Sequence, residues 1–143
     1  MKKNNKKFRV ISLFSGAGGM DLGFINAGFD IVWANDFFKE AVESYKKNIS
    51  EDIVFGDITK IKSSEMPDDI DLVIGGFPCQ GFSVANTKRS MKDERNFLYK
   101  EMLRVIKDKN PKFFVAENVK GILSMEKGKV IEMIKKDFES LGY

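Results

Sequence analysis

A chain of 143 residues with 43 % hydrophobic and 31 % charged residues is long enough to bury the core of one globular domain, and none of its apolar runs approaches the roughly 20 residues of a membrane-spanning helix. It has one cysteine and no histidine, which leaves no internal disulfide, fits a reducing cytoplasm and removes Ser-His-Asp and Cys-His catalytic pairs as well as His-containing zinc sites. Any acid–base work therefore falls to carboxylates, lysines or the thiol. Four of the lysines behind the net charge of +3 lie in the first seven residues, and without them the balance turns to −1. The basic excess is thus a tail, residues 1–7, expected to be disordered, and residues 8–143 form the domain.

Arg9 to Phe14 reads as a first strand. It runs into Ser15-Gly16-Ala17-Gly18-Gly19 and a helix from Met20 to Ala27, with Gly28 as its stop. Three glycines in four positions after a strand let the backbone turn tightly and approach a ligand at a helix N-terminus. Asp21 stands where a complete Gly-x-Gly-x-x-Gly would carry its last glycine. A second strand, Asp30 to Ala34, and a helix from about Phe37 to Lys47 follow. Asp36, 20 residues after Gly16, occupies their junction, where a nucleotide-binding fold presents an acid to ribose hydroxyls and where Asp is also a preferred helix N-cap. The third strand, Asp52 to Phe55, ends in Gly56-Asp57-Ile58. Asp57 is there either a turn residue or a second acid able to accept from an adenine amino group. The polar stretch from Lys60 to Asp69 reads as a connector.

Asp71-Leu72-Val73-Ile74 is an apolar run of the kind found in buried parallel strands. Gly75-Gly76-Phe77-Pro78-Cys79-Gln80-Gly81-Phe82-Ser83 then breaks it. Ligands of doubly wound α/β sheets collect beyond the carboxyl ends of the strands, so Cys79 stands where chemistry is done, although a lone cysteine is by itself more often a small buried hydrophobe. The loop that follows is locally positive through Lys88, Arg89, Lys92 and Arg95, suited to phosphates or merely solvated. Asp93 is placed to cap the next helix, whose apolar face is Leu98, Met102, Val105 and Ile106. Pro111 leads into a fifth strand, Lys112 to Ala116, which ends in Glu117-Asn118-Val119. A carboxylate there is costly to bury unpartnered, which marks Glu117. A last helix, about Lys129 to Leu141, carries Val130, Ile131, Ile134, Phe138 and Leu141 on one face, with Gly142 as its stop.

In this order these segments resemble the cytosine-C5 DNA methyltransferases. Pro78-Cys79-Gln80 and Glu117-Asn118-Val119, each after a strand and about 40 residues apart, are the most specific pair, and Asp93-x-Arg95-Asn96 matches the motif between them. The resemblance implies an α/β, Rossmann-like S-adenosylmethionine-dependent methyltransferase fold with parallel sheet order 3-2-1-4-5, truncated before the last strands. It assigns S-adenosylmethionine to Phe14, Ser15, Gly16, Ala17, Gly18 and Gly19, to Asp36 on the ribose, Phe37 on the adenine face, and Asp57 with Ile58 on the adenine edge, with Phe77 and Pro78 bordering the cofactor. It makes Cys79 the nucleophile and Glu117 the acid, places Pro78, Gln80, Ser83, Arg95 and Asn118 on the substrate, and requires no metal. Gly81-Phe82-Ser83 differs from the usual wording in RNA-directed relatives, so the implied partner is double-stranded DNA with a flipped cytosine, in a restriction–modification setting.

The chemistry explains those residue types. Cytosine C5 is a poor nucleophile until a thiolate adds at C6 and leaves an enamine. A free thiol has a pKa of about 8.5, so without histidine the anion depends on dipoles, cations or the substrate. The family pattern continues beyond Leu141-Gly142-Tyr143 with further strands, a target-recognition domain and a segment completing the cofactor pocket. The chain is therefore expected to be a fragment, or the N-terminal subunit of a split enzyme, inactive alone and prone to pair through its fifth strand with a C-terminal chain or with itself. Two rival classes remain open: a nicotinamide-dependent dehydrogenase, which leaves Pro-Cys-Gln and Glu-Asn-Val unexplained, and a non-catalytic DNA-binding module.

Overall fold

The structure, a computed structural model, describes residues 7–78 and 98–143. Five strands form one sheet: β1 (Arg9–Leu13), β2 (Asp30–Asp36), β3 (Ile53–Phe55), β4 (Leu72–Gly75) and β5 (Phe113–Ala116). All neighbours are parallel, in the order β3-β2-β1-β4-β5, which is the order the resemblance implies. The strand order reverses between β1 and β4, and that switch point opens a crevice beyond their carboxyl ends.

Central parallel strands are covered on both faces and so need apolar residues throughout. Val10, Ile11 and Leu13 of β1 and Leu72, Val73 and Ile74 of β4 are accordingly buried. One face carries α3 (Leu98–Lys109) and α4 (Lys129–Glu139), whose Met102, Val105, Ile106, Val130, Ile134 and Phe138 join Ile11, Leu13 and Val73 in one core. The other face carries α1 (Gly19–Asn26), against Val10, Leu72 and Ile74, and α2 (Lys39–Asn48), whose Val42 and Tyr45 pack on Ala34 and Ile53.

Several boundaries differ from the sequence expectation for local reasons. β1 ends at Leu13 because Phe14 turns into the left-handed region at φ 54°. β2 runs two residues past Ala34, held to the end of β3 by the Asn35 amide, which donates to the carbonyls of Val54 (2.9 Å) and Gly56 (3.0 Å). The connector after β3 contains two 3-10 turns, Ile58–Lys60 and Ser63–Glu65. Between β5 and α4, where the pattern gave no element, an irregular 3-10 stretch, Lys120–Gly128, tucks Ile122 and Met125 into the core. The expected basic tail up to residue 6 lies outside the described residues, as do Asp93 and the site residues Cys79, Gln80, Ser83 and Arg95.

Candidate functional site

The crevice is built from the carboxyl ends of β1 to β4. Leaving β1, the chain is pinned to β2 by Ser15, whose amide and hydroxyl both donate to the Asn35 carbonyl (3.0 and 2.9 Å). The next amide, Gly16, donates to Asp36 Oδ2 at 2.7 Å, and Asp36 Oδ1 accepts from the Phe38 amide at 2.8 Å. Asp36 is buried and bridges the β1 and β2 loops. Because α2 starts only at Lys39, it fixes the turn before that helix. Each of its oxygens accepts one protein N–H, and a carboxylate oxygen has room for a second donor.

The glycine-rich loop itself lies on α2. At Gly18 φ is +91°, and a Cβ there would run into Ile49 and stand 2.8 Å from the Tyr45 ring. Only glycine fits that approach. Beneath it, fully buried Asp21 accepts from the Ser12 hydroxyl and the Tyr45 hydroxyl, each at 2.7 Å. Burial pushes the Asp21 carboxyl above its ordinary pKa, while those two donors pull the other way. The residue that spoils the glycine pattern in the sequence is therefore the anchor joining β1, α1 and α2.

A cavity of about 460 Å³ opens at this point, within the range of small-molecule sites. It gathers six of the residues singled out in the sequence: Phe14, Asp36, Phe37, Asp57, Ile58 and Pro78. Phe37 is 63 % exposed, so its ring is available to a ligand and is no part of the core. Asp57 Oδ1 accepts from the Thr59 amide (3.0 Å) and hydroxyl (2.8 Å), and those bonds hold the Asp57 carboxyl below its ordinary pKa. Its Oδ2 has no hydrogen-bond partner among the described residues. Ser15 to Gly19 do not line the cavity; they hold Asp36 and the loop behind it. Phe77 turns into the core, buried beside Tyr99 with ring centroids 6.0 Å apart.

The remaining wall comes from the ends of β4 and β5. Glu117 is hydrogen-bonded through its amide to the Gly75 carbonyl (2.9 Å), but its side chain is exposed. The desolvation argument that marked it in the sequence is therefore not met. What the structure shows instead is proximity: a Cβ on Gly76 would lie 2.9 Å from Glu117 Oε2. The carboxylate thus rests against the main chain two residues before Pro78. Asn118 donates to the Phe77 carbonyl at 2.8 Å and accepts from the Val119 amide, tying the end of β5 to the segment after β4.

Asn35, Phe38, Gly56, Thr59, Gly76 and Leu98 complete the cavity and were not among the site residues assigned from the sequence. Thr59 was readable, since Asp-x-Thr is a local cap signature. Asp21 was not, because its partners are 9 and 24 residues away.

Against known proteins, the sequence profile described as C-5 cytosine-specific DNA methylase matches residues 8–143. The chain belongs to that family. It is 49 % identical over 145 residues to the type II methyltransferase M.NgoFVII of Neisseria gonorrhoeae, covering 100 % of this chain and 38 % of that protein. It is 47 % identical to M.FnuDI of Fusobacterium nucleatum, covering 94 % of this chain and 39 % of the relative. The chain thus spans less than half the length of these curated methyltransferases. In three dimensions it resembles the S. pombe Dnmt2 methyltransferase, with TM-score 0.68, 27 % identity, and 92 % and 42 % of the two chains covered. Family and fold together imply a methyl donor of the S-adenosylmethionine type.

Proposed function

We propose that this chain is the cofactor-binding and nucleophile-bearing part of an enzyme that methylates C5 of cytosine in double-stranded DNA, within a restriction–modification system. The observation that carries the reading is the convergence of Asp36, Asp57 and an exposed Phe37 on one cavity whose wall includes Gly76, against Glu117, and Pro78, which Cys79 follows in sequence. The donor set suits a cationic nucleoside: two carboxylates, an aromatic face and an apolar floor. Asp36 would take the ribose hydroxyls on its remaining lone pairs, Asp57 Oδ2 the adenine amino group, and Phe37 and Ile58 the ring. S-adenosylmethionine, when bound, supplies a methyl group on a positively charged sulfonium. The family match over residues 8–143 leaves the dehydrogenase reading without support.

Cys79, as thiolate, adds to C6 of a cytosine flipped from the duplex and makes C5 nucleophilic. Glu117, protonated, donates to N3 and offsets the charge that builds as sulfur adds. After methylation, loss of the C5 proton restores the ring and expels Cys79. Pro78, Gln80, Ser83 and Arg95 contact the base and its backbone, with Asn118 offering its second amide hydrogen. The exposed β5 edge suits pairing with a further segment or a second copy. The test is mass spectrometry of this chain joined to the remaining length of a family methyltransferase and treated with DNA carrying 5-fluorocytosine. Fluorine blocks elimination, so a DNA adduct on Cys79 is expected. An adduct that persists in Cys79→Ser would remove Cys79 from the mechanism.

A further inference from the structure

One wall of the cavity belongs to no strand or long helix. The Asp57–Glu65 stretch supplies Asp57, Ile58 and Thr59, yet its own regular structure is a pair of single 3-10 turns. Turns this short gain little from their own hydrogen bonds, so a wall of this kind must be held from outside.

Arg104, in the second turn of α3, does this. Its Nη1 donates to the Ser63 hydroxyl at 2.7 Å, and its Nη2 donates to the carbonyls of Ile58 (3.1 Å) and Ile61 (3.0 Å). Glu101 on the same helix orients the guanidinium, accepting from Nε at 2.8 Å and lying 2.7 Å from Nη2. One planar side chain therefore fixes three points of the wall from 41 to 46 residues away in sequence. The fork geometry of arginine permits this, and the single ammonium of a lysine does not reproduce it. The helix that carries Arg104 also places Leu98 in the cavity, so both contributions of α3 to the site move together.

We infer that Arg104 is a positioning residue for the adenine side of the cofactor cavity, holding Asp57, Ile58 and Thr59 in place from behind without touching the ligand. This rests on the cavity being the S-adenosylmethionine site. The structure supplies its own control. Lys109, less than two turns further along α3, staples the same connector at the Met66 carbonyl (2.8 Å) and Asp68 (2.7 Å), and none of these residues lines the cavity.

The experiment is calorimetric titration of the 143-residue chain with S-adenosylhomocysteine, together with an NMR titration of the Asp57 carboxyl, for wild type, Arg104→Met, Arg104→Lys and Lys109→Met. Arg104→Lys keeps a charge and a good helix former, so the question is still decided if Arg104→Met does not fold. Both Arg104 variants should weaken binding tenfold or more and let the Asp57 pKa rise toward its ordinary value as the turn around Thr59 loosens. Lys109→Met should bind within about twofold of wild type (about 0.4 kcal/mol). Arg104 variants that bind like wild type, or a Lys109→Met variant that loses as much, would overturn the inference. A wild-type chain that binds no S-adenosylhomocysteine, both alone and joined to the remaining length of a family methyltransferase, defeats the cavity reading instead. The Asp57 titration then still decides the role of Arg104, since a pKa unmoved in Arg104→Lys refutes it.

Discussion

Across the β3–β2–β1 side of the sheet, polar groups close on one another: Ser12 and Tyr45 on Asp21, Gly16 and Phe38 on Asp36, Asn35 on Val54 and Gly56. At the β5 side, large apolar groups face outward instead, with Phe113 63 % exposed, Val119 62 % and Leu123 58 %. The first region is organised by hydrogen bonds within the chain and carries a wall of the cavity, with Phe37, Phe38 and Phe55 exposed at its rim. The second presents surface of the kind that normally meets another protein layer. The contrast teaches that, within the described residues, one side of the sheet is closed by its own polar contacts while the other leaves apolar surface open.

The sharpest way to break that contrast is Gly18→Ala. The added methyl has no room against Tyr45 and Ile49, and φ of +91° disfavours any L side chain. Left-handed strain of roughly 1–2 kcal/mol and overpacking of roughly 1–3 kcal/mol act together. Thermal unfolding should show the loss of stability, and the finished side should become the weaker one. Unchanged stability would mean that the loop does not lie on α2 as described.

Tyr45→Phe is the next step down, because it removes one donor from a fully buried carboxylate, about 1–3 kcal/mol. The sign of its pH dependence follows from Asp21. Its folded pKa is raised above the ordinary 3.8, so the folded state holds the proton more tightly than the unfolded one. That contribution is full below about 3.8 and is lost as pH rises through the folded value. Without the Tyr45 hydroxyl the folded value climbs further, so the penalty should grow with pH. Urea unfolding near pH 5 and pH 8 checks this, and a larger penalty at pH 5 would contradict the assignment.

The same contrast decides what the sequence made legible. The five strands and the apolar faces of α3 and α4 were readable because buried elements repeat at their own period, whereas the strand order came from the family resemblance alone. The cavity acids Asp36 and Asp57 were readable because Asp36 ends a strand and Asp57 lies two residues beyond one. Asp21 looked like a defect in a glycine motif, since its role depends on Ser12 and Tyr45 meeting only in the fold. Arg104 gave no signal for the same reason: its three partners lie on the connector, 41 to 46 residues away. Glu117 was singled out on an expectation of burial, yet it is exposed. What marks it physically is its contact with Gly76, which no local pattern encodes.

The smallest expected effect on stability belongs to Phe113→Lys, and it addresses the open side directly. Along β5 the side chains alternate. Phe114 stacks on Phe138 of α4 with centroids 4.6 Å apart, while Phe113 and Val115 stand exposed. Among the described residues β5 pairs only with β4, so its other edge offers unpaired backbone groups beside apolar side chains, a template for another strand. Replacing Phe113 removes little buried surface, so unfolding should shift by no more than about 0.5 kcal/mol. A lysine at an edge opposes pairing through its charge. Sedimentation across a concentration series should therefore show the 143-residue chain associating and Phe113→Lys shifted toward the monomer. Phe114→Lys, one residue on, should instead unfold the α4 side, because it puts an unpaired charge beneath Phe138. A wild-type chain that stays monomeric at high concentration, or a Phe113→Lys variant that associates as strongly, would show that this edge is not what the exposed side uses.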